Sequence, residues 1–484
     1  MSQPRSRRRL LQIGVLFACL TAVTAILVAQ AIPTQKVVSL IVTGGTVVTV
    51  DEARRVLDPG AVAIDGNRIV AVGTPADIAR DYAATDVIQA AGTIVAPGLI
   101  NTHGHAAMVL FRGLADDMAL MDWLNQYIFP AEAKMVSPEF VRVGTALAAL
   151  EMIQSGTTLY TDMYYFEEEA ARVTRTAGLR GVLGQTVIGF PVADARTPAE
   201  ALARAARFID EFKNDPLVVP AVAPHSMYTV DADTLRACRA LATTKGVPLL
   251  THISETRDEQ KTSQERHSLT PTAYLESLGF WGPDTVAAHG VWLSDDDLAI
   301  LSRRKVGLSH NPESNMKLAS GTARVTKWLE AGIAAGLGTD GAASNNDLDM
   351  FDTMRITALL HKLIDDDPTS MPAARVLEMA TIGGARAMAM GDRLGSLEPG
   401  KLADLILVNA RTARLTPLYN PVSHLVYVTR GDDVLTSIID GKVVMRDRRV
   451  LTMDAARVMA DANAMGVRVK AAVEGKKQGA GSKK

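Results

Sequence analysis

The stretch Val95-Ala96-Pro97-Gly98-Leu99-Ile100-Asn101-Thr102-His103-Gly104-His105 constrains this chain more than any other. An apolar run ends in two histidines one residue apart. In extended backbone, residues i and i+2 face the same side, so His103 and His105 can point at one metal ion. Two imidazoles at the end of a buried strand pack poorly and suit zinc well. Taken alone, the pair reads equally as two surface histidines.

The middle of the chain alternates apolar strands with helical stretches, the pattern of parallel βαβ units. Eight candidate strands end near His103, Asp162, Gln185, His225, His252, His289, His310 and Asp340. Helix starts are marked by signals such as Ser137-Pro138, with proline in the first turn. Eight such units over about 290 residues predict a TIM (β/α)8 barrel, whose chemistry sits at the C-terminal strand ends. Most of those ends here hold His or Asp, where packing alone would place small apolar or turn residues.

His252 closes Val247-Pro248-Leu249-Leu250-Thr251, and Asp340 closes Ile333-Ala334-Ala335-Gly336-Leu337-Gly338-Thr339. With His103 and His105 they make a set of three imidazoles and one carboxylate, with room for a water. Glu255, three residues beyond His252, is placed to shuttle a proton. His289 can hold the attacking water, Asp340 can take its proton, and His225 can bind substrate. No lysine lies at the His225 strand end, which disfavours a carboxylated bridging lysine and a two-metal site. His267, His361 and His424 fall on helical or loop stretches and receive no role.

Both chain ends read as β structure. Ser39–Val42, Gly45–Val50, Gly60–Ile64 and Arg68–Val72 are strands near the start, with an Asp65-Gly66 hairpin. Ala403–Val408, Val434–Ile439 and Lys442–Met445 are their counterparts near the end, with Asp440-Gly441 as the turn. The expected organisation is a β-sandwich of residues 37–95 and 391–450, split by a barrel of residues 96–390. A C-terminal helix and a disordered basic tail fill residues 451–484, the tail from Lys476.

Arg5 and Arg7 to Arg9, the apolar run Ile13–Ala29 and Ala29-Gln30-Ala31 have the order of an export signal. Ser6-Arg7-Arg8-Arg9-Leu10-Leu11-Gln12 is similar to a twin-arginine signal, which predicts a periplasmic or exported protein. A membrane anchor spanning residues 10–31 is the alternative. Removing residues 1–31 deletes four arginines and no acid, taking the net charge from −2 to −6 (−2 − 4). Cys19 and Cys238 are the only cysteines, so the body of the chain has no internal disulfide. The near-neutral balance gives no footprint for nucleic acid.

These residues carry a family resemblance. Pro97–His105, His252-Ile253-Ser254-Glu255, the His289 strand and Gly338-Thr339-Asp340-Gly341 resemble the mononuclear deaminase branch of the amidohydrolase superfamily. The likeness extends from Ser39 to about Gly466 and includes Gly395–Asp404. More narrowly, Phe111–Asp117, Met121–Leu124, Pro130-Ala131-Glu132 and Asn311–Gly321 resemble the 5-methylthioadenosine/S-adenosylhomocysteine deaminase group. The resemblance implies one zinc on His103, His105, His252 and Asp340, with iron replacing it in some relatives. It implies that Glu132 grips the ribose hydroxyls, that His225 contacts the nucleoside, and that Glu255 moves the proton. The implied reaction turns a 5′-modified adenosine into the inosine derivative and ammonia, in a homo-oligomer. A guanine-type or s-triazine aminohydrolase, or a chlorohydrolase, is the alternative on this scaffold. Glu132 separates the two, because a carboxylate suits a vicinal diol. One departure stands out: Gly181–Pro191 contains no arginine, where relatives taking S-adenosylhomocysteine place one for its carboxylate. Arg180 just before it points elsewhere in this reading.

Overall fold

The computed structural model describes residues 35–480. The segment expected to be an export signal, with Cys19, and the last residues of the expected tail, 481–484, lie outside them. Five strands open the chain: β1 (Lys36–Val48), β2 (Val56–Asp65), β3 (Arg68–Gly73), β4 (Tyr82–Gln89) and β5 (Thr93–Pro97). The two first strands expected from sequence are one strand, β1, with a bulge between Thr43 and Gly45. The first hairpin turns on Gly66-Asn67, one residue later than expected, because Asp65 pairs with Arg68.

The next eight strands are β6 (Leu99–Asn101), β7 (Thr157–Tyr164), β8 (Arg180–Val187), β9 (Val218–Pro224), β10 (Leu249–Ile253), β11 (Thr285–His289), β12 (Gly307–His310) and β13 (Ala335–Leu337). All pair in parallel, and β13 pairs with β6 to close the barrel. Every position of β7 and β8 is buried, polar Thr161, Asp162 and Gln185 among them, because parallel barrel strands are covered on both faces. Ile100, Leu159, Met163, Val182 and Leu250 pack together from successive strands. The helix Pro138–Gln154 begins where the sequence signals it: the Ser137 hydroxyl accepts the Phe140 N–H at 3.2 Å.

Strands β14 (Leu405–Asn409), β15 (Val434–Ile439), β16 (Lys442–Arg446) and β17 (Arg449–Val450) return to the first sheet. β14 pairs with β5, making one nine-stranded sheet from both chain ends. Its core draws on both wings, with Leu40, Val62 and Ile69 meeting Leu405, Leu407 and Ile438. The β15–β16 turn places Asp440 at φ 53° and Gly441 at φ 72°, as a two-residue hairpin of the type expected requires. The chain passes from β5 to β6 through Gly98 alone, so the sheet ends and the barrel starts two residues later than expected. A Cβ on Gly98 would lie 2.1 Å from the Thr158 hydroxyl, which leaves only glycine room. The final helix runs from Ala455 to Ala480, past the expected start of the tail. Among the described residues, no helix is long and apolar enough to cross a membrane.

Candidate active site

At the C-terminal mouth of the barrel the histidines converge. Strand β6 stops at Asn101, so His103 and His105 lie in the bend beyond it and not in extended strand. Their rings still meet edge to face, with centroids 4.9 Å apart. His103 is also 4.9 Å from the His252 ring and 5.3 Å from the His289 ring. Asp340 Oδ1 lies 3.4 Å from His103 Nε2 and 3.2 Å from His105 Nε2. His289 Nε2 faces Glu255 Oε2 at 3.8 Å and Asp340 Oδ2 at 4.0 Å.

The donor atoms answer whether a cation fits. His105 Nδ1 bonds the Met163 carbonyl at 2.7 Å, and His252 Nδ1 bonds the His225 carbonyl at 2.8 Å. A carbonyl only accepts, so both Nδ1 atoms are protonated and each Nε2, in the neutral ring that a metal binds, presents a lone pair. Burial lowers His105, but the Asp340 carboxylate beside it prevails and raises the ring to about 9. Those two Nε2 atoms face one another at 3.4 Å. His103 Nε2 is buried without a hydrogen-bond partner. Burial pushes His103 down to about 4 and His252 well below its ordinary value, leaving neutral imidazoles. Burial would raise Asp340, but the His103 and His105 rings beside its Oδ1 hold it well below the usual carboxylate range. Facing lone pairs, an orphaned nitrogen and an ionised carboxylate suit one divalent metal ion. Two sets have ligand atoms within 4.8 Å of one another, His103–His105–Asp340 and His103–His252–His289. They share His103.

The surrounding groups fix these side chains. Asp340 Oδ2 accepts from the Ser314 hydroxyl at 2.7 Å and the Ser344 hydroxyl at 3.2 Å, and Oδ1 accepts the Gly341 N–H at 2.8 Å. Asn315 Oδ1 lies 2.9 Å from His289 Nδ1. Glu259 accepts the N–H groups of Ser254 and Glu255 at 3.0 and 2.8 Å, holding the turn that presents Glu255. His289 and Asp340 have φ of 75° and 61°, left-handed values that side chains avoid. Such strain persists where neighbouring bonds enforce it, and it gathers at functional sites.

None of these supporting residues was assigned a role from sequence. Thr256-Arg257-Asp258-Glu259 has capping-box spacing, the signal that could have found Glu259. Ser314 and Asn315 sit in the Asn311–Gly321 motif, which carried the resemblance without individual roles.

A cleft of about 610 Å³ opens onto this cluster. Met108, Trp123, Leu124, Phe129 and Leu318 line its apolar side; Glu132, His225, Glu255, His289 and Asp340 line its polar side. Glu132 comes from the helix Phe129–Met135 and accepts the Tyr164 hydroxyl at 2.7 Å. Burial pushes its carboxyl up to about 7 and raises that of Glu255 as well. His225 Nδ1 is within 3.1 Å of the Ser226 and Thr229 hydroxyls.

Three strand-end residues stay out of the cleft, among them buried Gln185, which donates to Asp194 at 2.8 Å. Asp162 is fully buried and accepts the Ala106 N–H at 2.9 Å, bracing the turn after His105. His310 pairs with His361, Nε2 to Nε2, at 3.2 Å, as a buried couple among helices.

The amidohydrolase family model matches residues 94–444, most of the chain and all of the barrel. The chain belongs to the amidohydrolase family. Within it, the chain is 50% identical to the 5-methylthioadenosine/S-adenosylhomocysteine deaminase of Syntrophobacter fumaroxidans, over 87% of this chain and 96% of that protein. It is 42% identical to the 5'-deoxyadenosine deaminase of Methanosarcina mazei, over 87% and 96%. Among solved structures, an adenosine deaminase from Xanthomonas campestris with bound zinc superposes with a TM-score of 0.89. That structure is 38% identical, and the match covers 90% of this chain and all of that one. This amidohydrolase is therefore a metal-dependent hydrolytic enzyme with a mononuclear type of site.

Arg180 resolves the departure noted in the sequence. It opens β8 at the end of the barrel remote from the cleft. There its guanidinium is buried, bonding Asp404 at 2.9 and 3.1 Å, Asp440 at 3.2 Å and the Pro216 carbonyl at 2.9 Å. Among the described residues, no lysine or arginine lines the cleft.

Proposed function

We propose that this amidohydrolase uses zinc to deaminate a 5′-modified adenosine, releasing ammonia and the inosine derivative. The observation that carries the reading is Glu132. A buried carboxylate in the metal-facing cleft has an evident use for a vicinal diol and none for a bare heterocycle. The names of the relatives point the same way, since each is a deaminase of an adenosine derivative.

His103, His105, His252 and Asp340 are the residues that hold the metal in this reading. When bound, the metal makes a water acidic enough to act as a nucleophile near neutral pH. His289, oriented by Asn315, holds that water against purine C6, and Asp340 Oδ2 takes its proton. Addition at C6 places electron density on N1, and Glu255 delivers a proton there. The C6–N bond then breaks: the added hydroxyl gives up its proton through Glu255 to the amine, which leaves as ammonia, and the proton held by Asp340 returns to reprotonate Glu255. Glu132 accepts from the ribose hydroxyls, and His225 contacts the nucleoside from the strand beside His252.

A cleft lined by Glu132, Glu255 and Asp340 and by no lysine or arginine among the described residues favours an uncharged 5′ substituent over a homocysteine tail. Ammonia release should be measured with adenosine, 5′-methylthioadenosine, S-adenosylhomocysteine, guanine and a triazine. Turnover of 5′-methylthioadenosine well above that of guanine is expected. Turnover of guanine or the triazine without any nucleoside activity overturns the reading. Metal analysis should find about one zinc per chain, mostly lost in His252→Ala; iron in its place would revise the metal alone.

The export signal makes a location outside the cytoplasm part of this proposal. Fractionation with N-terminal sequencing should find residues 1–31 removed. An intact Met1 on a soluble cytoplasmic protein refutes export.

A further inference from the structure

Met108, Trp123, Leu124 and Phe129 from the apolar side of the cleft, and Glu132 from its polar side, belong to one excursion of the chain between β6 and the helix Pro138–Gln154. Glu132 stands on the helix Phe129–Met135, which has only seven residues. A helix that short is not stable by itself and takes its place from whatever packs on it. A π-helical turn, Leu124–Ile128, leads into it, a form that is rare in proteins and frequent at functional sites. The position of Glu132 is therefore set by what lies behind its helix.

Behind it lies the last helix of the chain, Ala455–Ala480, which packs on the helices Phe129–Met135 and Pro138–Gln154 and on the 3-10 turn Ala106–Phe111. Val458, Ala462, Met465, Val469 and Val473 recur every three or four residues and form its inward stripe. Lys134 Nζ donates to the Ala472 carbonyl at 2.7 Å, and Arg468 pairs with Glu139 at 2.9 Å. Arg468 and Ala472 share a face one turn apart, with buried Val469 between them along the chain. Lys134 and Glu139 flank the joint Val136-Ser137 between the two shorter-numbered helices. One turn of the last helix thus bridges that joint. Lys134 follows Glu132 by two residues, about 200° round a helix, so the tie grips the face turned away from the cleft.

We propose that the C-terminal helix is a positioning element for the nucleoside end of the cleft: bracing the helix Phe129–Met135 from behind through Lys134 and Val469, it fixes how far Glu132 reaches towards the ribose. The inference rests on the diol-binding reading of Glu132. Glu255, His289 and Asp340 follow other strands, β10, β11 and β13. Loosening the brace therefore acts on nucleoside binding and leaves the proton transfers alone.

The test is steady-state kinetics of the full-length, metal-loaded enzyme with 5′-methylthioadenosine. Lys134→Ala and Val469→Ala should each raise KM about two- to tenfold, the range of one hydrogen bond, with kcat and metal content unchanged. Lys134→Arg still donates to the carbonyl and should return KM to its original value. In a Glu132→Gln background neither alanine change should raise KM further, because the group being positioned is already lost. A lowered kcat with unchanged KM, or an effect that adds in full to Glu132→Gln, marks mere loss of stability and overturns the proposal. Where Glu132→Gln raises KM and the two alanine variants do not, the brace alone is refuted. Where Glu132→Gln itself leaves the nucleoside KM unmoved, the diol reading fails and the brace has nothing to position.

Discussion

Glu255 and Glu132 are buried carboxylates in the same cleft, and they differ in what they touch. Glu255 faces His289, and Glu132 faces a tyrosine hydroxyl. Glu255→Gln preserves shape and the metal-facing cluster but removes the mobile proton, so kcat should fall about 10²–10⁴-fold with metal content unchanged. Burial raises Glu255, so its protonated form persists closer to neutral pH than in a free glutamate, and its loss should flatten the alkaline limb of the rate profile. Glu132→Gln should lose charge-assisted bonds worth about 1.5–3 kcal/mol, lowering kcat/KM for nucleosides about ten- to a hundred-fold. Guanine turnover, if any, should be untouched by the second change; equal damage to both substrates refutes a diol-binding role. The histidines and acids were legible in the sequence because such residues at strand ends have no packing explanation. Ser314, Ser344, Asn315 and Tyr164 were not, because hydroxyls and amides are ordinary at those positions until their partners are known.

Among elements, one of the two shortest barrel strands does the most positioning. β6 is only Leu99–Asn101, yet it delivers His103 and His105 and receives the chain from the other domain through Gly98. Gly98→Ala would press a methyl group onto buried Thr158, and overpacking of that kind costs about 1–3 kcal/mol. The expected outcome is a lower unfolding midpoint, with the loss relieved by Thr158→Ala in the same chain; no relief would mean that backbone conformation and not space is the constraint. The number of strands was readable because short apolar segments alternate regularly with helical stretches, even where polar residues interrupt them as in β7 and β8. Exact ends were not, since His103 and Asp340 follow their strands by two and three residues in bends that periodicity does not encode. β4 escaped notice because an edge strand, half exposed, is only weakly apolar.

At the scale of the whole molecule, the two domains are joined by charge as well as by chain. Arg180 from the barrel is clamped by Asp404 and Asp440 from the returning sheet, with the guanidinium only 2% exposed. Removing one member of a buried pair leaves an uncompensated charge, so Arg180→Ala should destabilise by about 3–5 kcal/mol. Denaturant unfolding measures this, and the ratio of 5′-methylthioadenosine to S-adenosylhomocysteine turnover should not move. A changed ratio would mean that Arg180 reaches the cleft after all. The same clamp sets an order of events on the ribosome. Asp404 is made 224 residues after Arg180, and Asp440 260 residues after it. Until Asp404 emerges, the nascent barrel holds a cation with no counter-charge beneath it, and a chain cut short before that residue keeps the defect permanently. Completion of the polypeptide is therefore itself the event that stabilises its middle.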